Sequence, residues 1–175
     1  MKRTEKAAPR DEQARRDAPR DERGSPEARA AYKTFCDITT RWMDNDAYGH
    51  VNNVVYYSFL DTAVNQYLIE AGCLKPTSSA VIGLVVETQC SYFRPIAFPD
   101  RVTAGIRVAR CGRSSVRYEI GLFRNDEQTA SAQGHFVHVY VDRASSRPVA
   151  LPAPLRHALE RLLIADAQAA RATPT

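Results

Sequence analysis

The chain has 175 residues, the size of one ordinary domain. Lys and Arg number 24 against 20 Asp and Glu, a formal net charge of +4 that raises the question of a nucleic-acid or membrane-surface partner. Location argues against both: residues 1–31 hold nine basic and seven acidic side chains, so half the excess sits there and the other +2 is thinly spread. No run approaches the roughly 18 apolar residues of a membrane span, and the charged N-terminal segment lacks the apolar centre of a secretory signal. A soluble, cytoplasmic protein is expected, with no nucleic acid and no membrane among its partners. Cys36, Cys73, Cys90 and Cys111 form no CxxC pair, so they are read as reduced thiols and not as a zinc site or disulfide scaffold.

In chain order, residues 1–31 contain no large apolar side chain apart from Met1, which predicts a disordered mixed-charge tail. Residues 32–42 read as a strand, and Met43–Gly49, with two Asp, an Asn and a Gly, as a loop. From Asn53 to Ala71 a helix of about five turns is predicted, closed by Gly72. Its polar residues Ser58, Asp61, Thr62, Asn65 and Gln66 form one narrow stripe on an otherwise apolar cylinder, which predicts a buried helix wrapped by a sheet.

Segments 82–93, 101–111, 115–124 and 128–142 are rich in Val, Ile, Tyr and Phe and are separated by short turns, so they read as an antiparallel sheet. In the third, Val116, Tyr118, Ile120 and Leu122 share a face opposite Arg117 and Glu119. Residues 155–170 read as a terminal amphipathic helix with Leu155, Leu159, Leu162 and Leu163 on one side. The expected divisions are a tail at 1–31, one α+β domain at 32–165 and a flexible C-terminus at 166–175.

The junction between first strand and helix carries the most specific signal. The run Arg41-Trp42-Met43-Asp44-Asn45-Asp46-Ala47-Tyr48-Gly49-His50-Val51-Asn52-Asn53-Val54-Val55-Tyr56 resembles the R-W-x-D-x-D-x-x-G-H-V-N-N-x-x-Y signature of hotdog-fold acyl-CoA thioesterases, in their hydroxybenzoyl-CoA thioesterase-like branch. Tyr92-Phe93-Arg94-Pro95 with Asp100, and Gly112-Arg113-Ser114-Ser115, resemble two further turns of that family. One departure is Val64, where relatives often carry an Arg.

The resemblance implies a hotdog fold, a sheet around a long helix, and hydrolysis of an acyl-CoA or acyl-carrier-protein thioester to acid and thiol. It implies Asp46 as nucleophile or general base, the Asn53 backbone N–H as donor to the thioester carbonyl, and His50 as a positioning group. It further implies homodimers or homotetramers, and no cofactor. Thioester hydrolysis needs a carboxylate and an oxyanion donor, and a helix N-terminus with unpaired N–H groups is such a donor. Tyr56, Tyr57, Phe59 and Leu60 are expected to wall the acyl group, and Arg94 and Arg113 to meet coenzyme A phosphates.

Asn52 is the expected N-cap, and Asp44 the expected structural carboxylate. Asp61 is read as a hydrogen-bonded helix residue rather than a second catalytic carboxylate. No metal is expected: Asp44-Asn45-Asp46 lacks further ligands, and His135 and His138, three apart on a strand, point to opposite faces and are expected at a surface or interface. The absence of G-x-S-x-G argues against a serine elbow. Two other readings stay open: an acyl-CoA-binding hotdog module without turnover, and a nucleic-acid-associated protein driven by its basic tail.

Overall fold

The computed structural model describes residues 24–164. A single antiparallel sheet is formed by β1 (Thr34–Thr39), β2 (Val81–Tyr92), β3 (Arg101–Cys111), β4 (Ser115–Arg124) and β5 (Ala132–Asp142), in the order β1-β3-β4-β5-β2. Helix α1 (Asn53–Glu70) packs against β1, β3 and β4, and α2 (Ala153–Glu160) against β3. The β3–β4 connection is a tight turn and the β4–β5 connection a seven-residue loop, and in both cases the strands they join pair as neighbours. The chain has the α+β hotdog architecture expected of it.

Alternation along β4 sets the two faces of the sheet. Val116, Tyr118, Ile120 and Leu122 are all buried against the helix side. They meet Tyr56, Phe59, Leu60, Ala63, Val64 and Leu68 of α1, which together with residues of β3 and α2 form one continuous core. Each large side chain removed from water there contributes about 1.5–3 kcal/mol. Ser58, Asp61 and Thr62 of the polar stripe are exposed and Asn65 and Gln66 half-buried, and Val54 and Ile69 are exposed. Val64 is fully buried, which explains why no Arg is accommodated there.

The outer face has its own small core. Gly105 and Gly121 are paired neighbours on β3 and β4, and the ring of Tyr32 lies over both. A Cβ built at Gly121 would stand 2.6 Å from the Tyr32 ring, so the absence of a side chain is what admits the aromatic. Phe123 is fully buried edge-on to Tyr32 at 5.6 Å. Gly121→Val should therefore expel Tyr32 and lower the melting temperature by several degrees, each kcal/mol being worth roughly 2–4 °C at this size; thermal unfolding by circular dichroism checks it.

The fold begins earlier than Tyr32. Ala28 bridges Thr129, Arg29 N–H donates to the Gln128 carbonyl at 2.8 Å, and the Arg29 guanidinium lies 4.6 Å from the Phe123 ring centroid. Glu27 pairs with Arg107, which also binds Glu119. Residues 24–31 thus dock through backbone and charge, which apolar composition does not report. The rest of the expected tail, 1–23, lies outside the described residues.

Other boundaries shift for local reasons. The first strand stops at Thr39, and Trp42–Asp44 forms a 3-10 turn. The fourth long strand starts at Ala132, not at 128, because residues 128–130 bond to 27–29 instead. The terminal helix ends at Glu160; Leu162 and Leu163 are buried beyond it, with Leu163 bridged to Val108. The remainder of that expected helix, 165–170, and the C-terminus lie outside the described residues. The four cysteines form no disulfide; Cys111 is buried and the others are half-buried. No helix among the described residues is long and apolar enough to cross a membrane.

Candidate active site

The loop from Arg41 to Asn52 is built by its own polar side chains. Asp44 is buried and accepts from the Arg41 backbone N–H at 2.7 Å and from its guanidinium at 2.9 and 3.1 Å. It serves the structure of the loop, as expected, by holding both the backbone and the side chain of Arg41. The Asn45 amide oxygen accepts from Phe98 N–H at 3.0 Å, tying the loop to the turn before β3.

Asp46 closes the reversal. Its N–H donates to the His50 carbonyl at 2.8 Å, its carbonyl accepts from Gly49 at 3.0 Å, and its Oδ1 accepts from Tyr48 N–H at 2.8 Å. Gly49 has φ +79°, a left-handed conformation that favours glycine. The second carboxylate oxygen of half-buried Asp46 accepts no hydrogen bond among the described residues. One side chain therefore both makes the turn and keeps an oxygen available.

The loop ends at the start of α1. Asn52 is the N-cap, accepting from Val54 N–H at 3.1 Å, while its own N–H donates to the Asp44 carbonyl at 2.9 Å. Asn52→Ala should cost about 0.5–2 kcal/mol, read as a lower urea midpoint. The next N–H, that of Asn53, has no acceptor among the described residues and sits at the positive end of an 18-residue helix.

A cavity of about 400 Å³ opens at this point, lined by Asp46, His50, Asn53, Tyr56, Tyr92 and Arg94 among others. The Tyr92 hydroxyl donates to the Asn53 carbonyl at 3.2 Å, and its ring stands edge-on to Tyr56 at 5.0 Å. The Tyr56 hydroxyl accepts from Ile96 N–H at 3.2 Å. Burial raises the pKa of both phenols, that of Tyr56 opposed by its bond to Ile96. Arg94 is held by Glu127 at 3.2 Å and by the Thr129 carbonyl at 2.7 Å.

Of the residues singled out in the sequence, Asp46, His50, Asn53, Tyr56 and Arg94 share this cavity. Phe59 and Leu60 do not line it: they share the face of Tyr56 but lie a turn farther from the helix start, packed in the core. Tyr57, half-buried, is outside the lining too. Arg113 is exposed on the β3–β4 turn, beside Pro148 and Ala150. Tyr92 and Phe93 were not singled out, although Tyr92 opens the Y-x-R-P segment that was the available signal. His135 and His138 are buried at 8% and 3% exposure, so neither is a surface residue. A larger cleft of about 810 Å³, lined by Asp37, Thr39, Arg101 and Asp126 among others, contains none of Asp46, His50 and Asn53.

The comparisons bear directly on this site. The family model of the thioesterase-like superfamily matches residues 40–159, which include the whole loop and α1. The chain belongs to that superfamily. Its structure is similar to that of the PA5185 protein of Pseudomonas aeruginosa strain PAO1, with 56% identity and TM-score 0.79, covering 81% of this chain and 99% of that one. It is also similar to a thioesterase from Thermus thermophilus solved with coenzyme A and zinc, at 30% identity and TM-score 0.63, over 75% of this chain and 95% of that one. The PA2801 protein of Pseudomonas aeruginosa shares 29% identity at TM-score 0.67, over 73% of this chain and 98% of that one. Among curated proteins no match was found. As a member of this superfamily the protein is a hotdog-fold thioester hydrolase. Among the described residues, no three His, Cys, Asp or Glu side chains come together as a metal site.

Proposed function

We propose that the protein hydrolyses acyl-CoA thioesters in the cavity at the N-terminus of α1, with Asp46 as the catalytic carboxylate. The observation that carries this reading is the meeting of an uncommitted Asp46 oxygen and the open Asn53 N–H on one cavity. The thioester carbonyl oxygen would accept from Asn53 N–H, whose donor strength is reinforced by the helix dipole. Asp46 would remove a proton from a water that attacks the carbonyl carbon, giving the acid directly, or attack that carbon itself, giving a mixed anhydride that water then opens to the acid and free Asp46; in both a C–O bond forms, the C–S bond breaks and the thiolate leaves to be protonated. His50, whose carbonyl already fixes Asp46 N–H, positions the loop. Arg94 supplies a positive edge to the cavity for the anionic cofactor thiol.

The reading includes self-association as a homodimer or homotetramer. Among the described residues β2 pairs only with β5, and Leu84, Val85 and Val86 on it are 43%, 46% and 61% exposed, an apolar sheet edge that a second copy would cover. The test is a panel of acyl-CoAs of differing chain length and aromaticity with a thiol-reactive dye. Thiol release from at least one ester supports the reading; no release from any of them removes it in favour of a binding module.

A further inference from the structure

The hydrogen-bond donors that line the cavity at the start of α1 are mostly engaged already. Among the described residues, the Asp46 N–H is given to the His50 carbonyl, the Val51 N–H to the Ile96 carbonyl at 2.7 Å, and the N–H groups of Phe93 and Arg94 to the Ser131 carbonyl at 2.9 and 3.0 Å. The Tyr92 hydroxyl is given to the Asn53 carbonyl, the Arg94 guanidinium is held by Glu127 and Thr129, and His50 is exposed to solvent. Tyr56 differs. Its hydroxyl accepts from the Ile96 N–H at 3.2 Å, but its own proton has no acceptor among the described residues, although the side chain is only 4% exposed. A buried hydroxyl normally uses its donor as well as its lone pairs.

We propose that Tyr56 is a catalytic residue, its hydroxyl the second donor to the thioester oxygen beside the Asn53 N–H. The assignment rests on the acyl-CoA reading above. A carbonyl oxygen has two lone pairs, and one backbone N–H satisfies one of them; the charge that grows on this oxygen as the carbonyl carbon becomes tetrahedral is held more firmly by two fixed donors than by one. Tyr56 follows Asn53 by three residues, so the two share a helix face, and helical side chains lean back over the preceding turn, where the Asn53 N–H opens.

The surroundings of the hydroxyl fix it at the cavity wall. Ile96, which bonds it through N–H, follows cavity-lining Pro95 and holds cavity-lining Val51 through its carbonyl. The phenol ring is braced edge-on by Tyr92 at 5.0 Å and by Phe59 at 6.4 Å, so the donor is in place before a substrate arrives. Burial raises the pKa of this phenol, against the effect of the Ile96 N–H. The group therefore keeps its proton at neutral pH and acts by hydrogen bonding, with no proton leaving it.

Three measurements on the full chain test the proposal. Tyr56→Phe should lower kcat for acyl-CoA hydrolysis by roughly 100-fold, the effect of losing one oxyanion donor. A non-hydrolysable ketone analogue of acyl-CoA should bind this variant about three- to tenfold more weakly, the worth of one hydrogen bond, with KM rising by no more than that. An S-alkyl-CoA, which has no carbonyl, should bind both proteins equally; calorimetry reads the two analogues. In isotope-edited infrared spectra, the carbonyl stretch of the 13C-labelled ketone should lie lower in wild type than in Tyr56→Phe. It should lie lower again when Tyr56 is replaced by 3-fluorotyrosine, a stronger donor that still accepts from Ile96, and this replacement decides the matter even where Tyr56→Phe does not fold. An equal loss of affinity for both analogues, or a carbonyl stretch indifferent to position 56, overturns the assignment and leaves Tyr56 as a support of the turn at Ile96. Acyl-CoA hydrolysis that runs alike in wild type and Tyr56→Phe overturns it while the acyl-CoA reading stands. Wild-type protein that hydrolyses no acyl-CoA overturns both.

Discussion

If Asp46 is the catalytic carboxylate as proposed, Asp46→Asn is expected to lower kcat for acyl-CoA hydrolysis by roughly 100- to 10,000-fold, the range for loss of a positioned acid–base group, and to leave the fold intact. The two parts of this expectation come from the two oxygens of the side chain. Oδ1 holds Tyr48 N–H at 2.8 Å and shapes the turn, a bond the amide oxygen of Asn can reproduce. The other oxygen becomes an amide nitrogen, which can neither attack a carbonyl nor take a proton from water. KM should change far less than kcat, because in the proposed reading the coenzyme is held away from this carboxylate, on the side of Arg94. Steady-state kinetics beside a thermal melt separates the two effects; a melting temperature that falls together with activity would instead mean that Asp46 serves the loop alone.

Leu60→Ala is expected to be the most damaging single truncation in the helix, at about 2–5 kcal/mol. Leu60 has no exposed surface and reaches β5 where Gly134 leaves room for it: a Cβ at Gly134 would come within 2.8 Å of Leu60 Cδ1 and 2.6 Å of the Gln89 carbonyl. Backbone on two sides prevents collapse, so the deleted methyls leave a void. At this chain length the loss corresponds to a melting temperature lower by roughly 5–20 °C, measurable by calorimetry. A drop as small as that of an exposed-residue change such as Val54→Ala would show that α1 is not anchored through Leu60.

What could be read in advance follows the range of the interaction. The strand alternation of Val116 to Leu122, the capping by Asn52 and the loop at 43–49 depend on near neighbours, and the sixteen-residue run carried the last two together. The docking of residues 24–31 depends on Arg107 and Gln128, far away in sequence, and their charged composition concealed it. The burial of Phe123 does not follow from the alternation along β4; the pairing of Gly105 with Gly121 creates the space in which Tyr32 covers it. Phe59 and Leu60 were expected beside an acyl chain lying along the apolar helix; they are core residues a turn beyond Tyr56 and outside the cavity at the helix start. His138 could not be told from a surface histidine, since its burial comes from three aromatic neighbours on two strands.

The placement of the thioester at the start of α1 is tested most directly by the amide resonance of Asn53. A non-hydrolysable ketone analogue of acyl-CoA, which keeps the carbonyl but replaces the thioester linkage, can be titrated into 15N-labelled protein. The Asn53 amide should move strongly downfield, the signature of a new acceptor, with smaller shifts at Asp46, His50 and Tyr92. Saturating analogue that leaves Asn53 unmoved and shifts residues around Arg113 or Asp126 would contradict the assignment of this cavity.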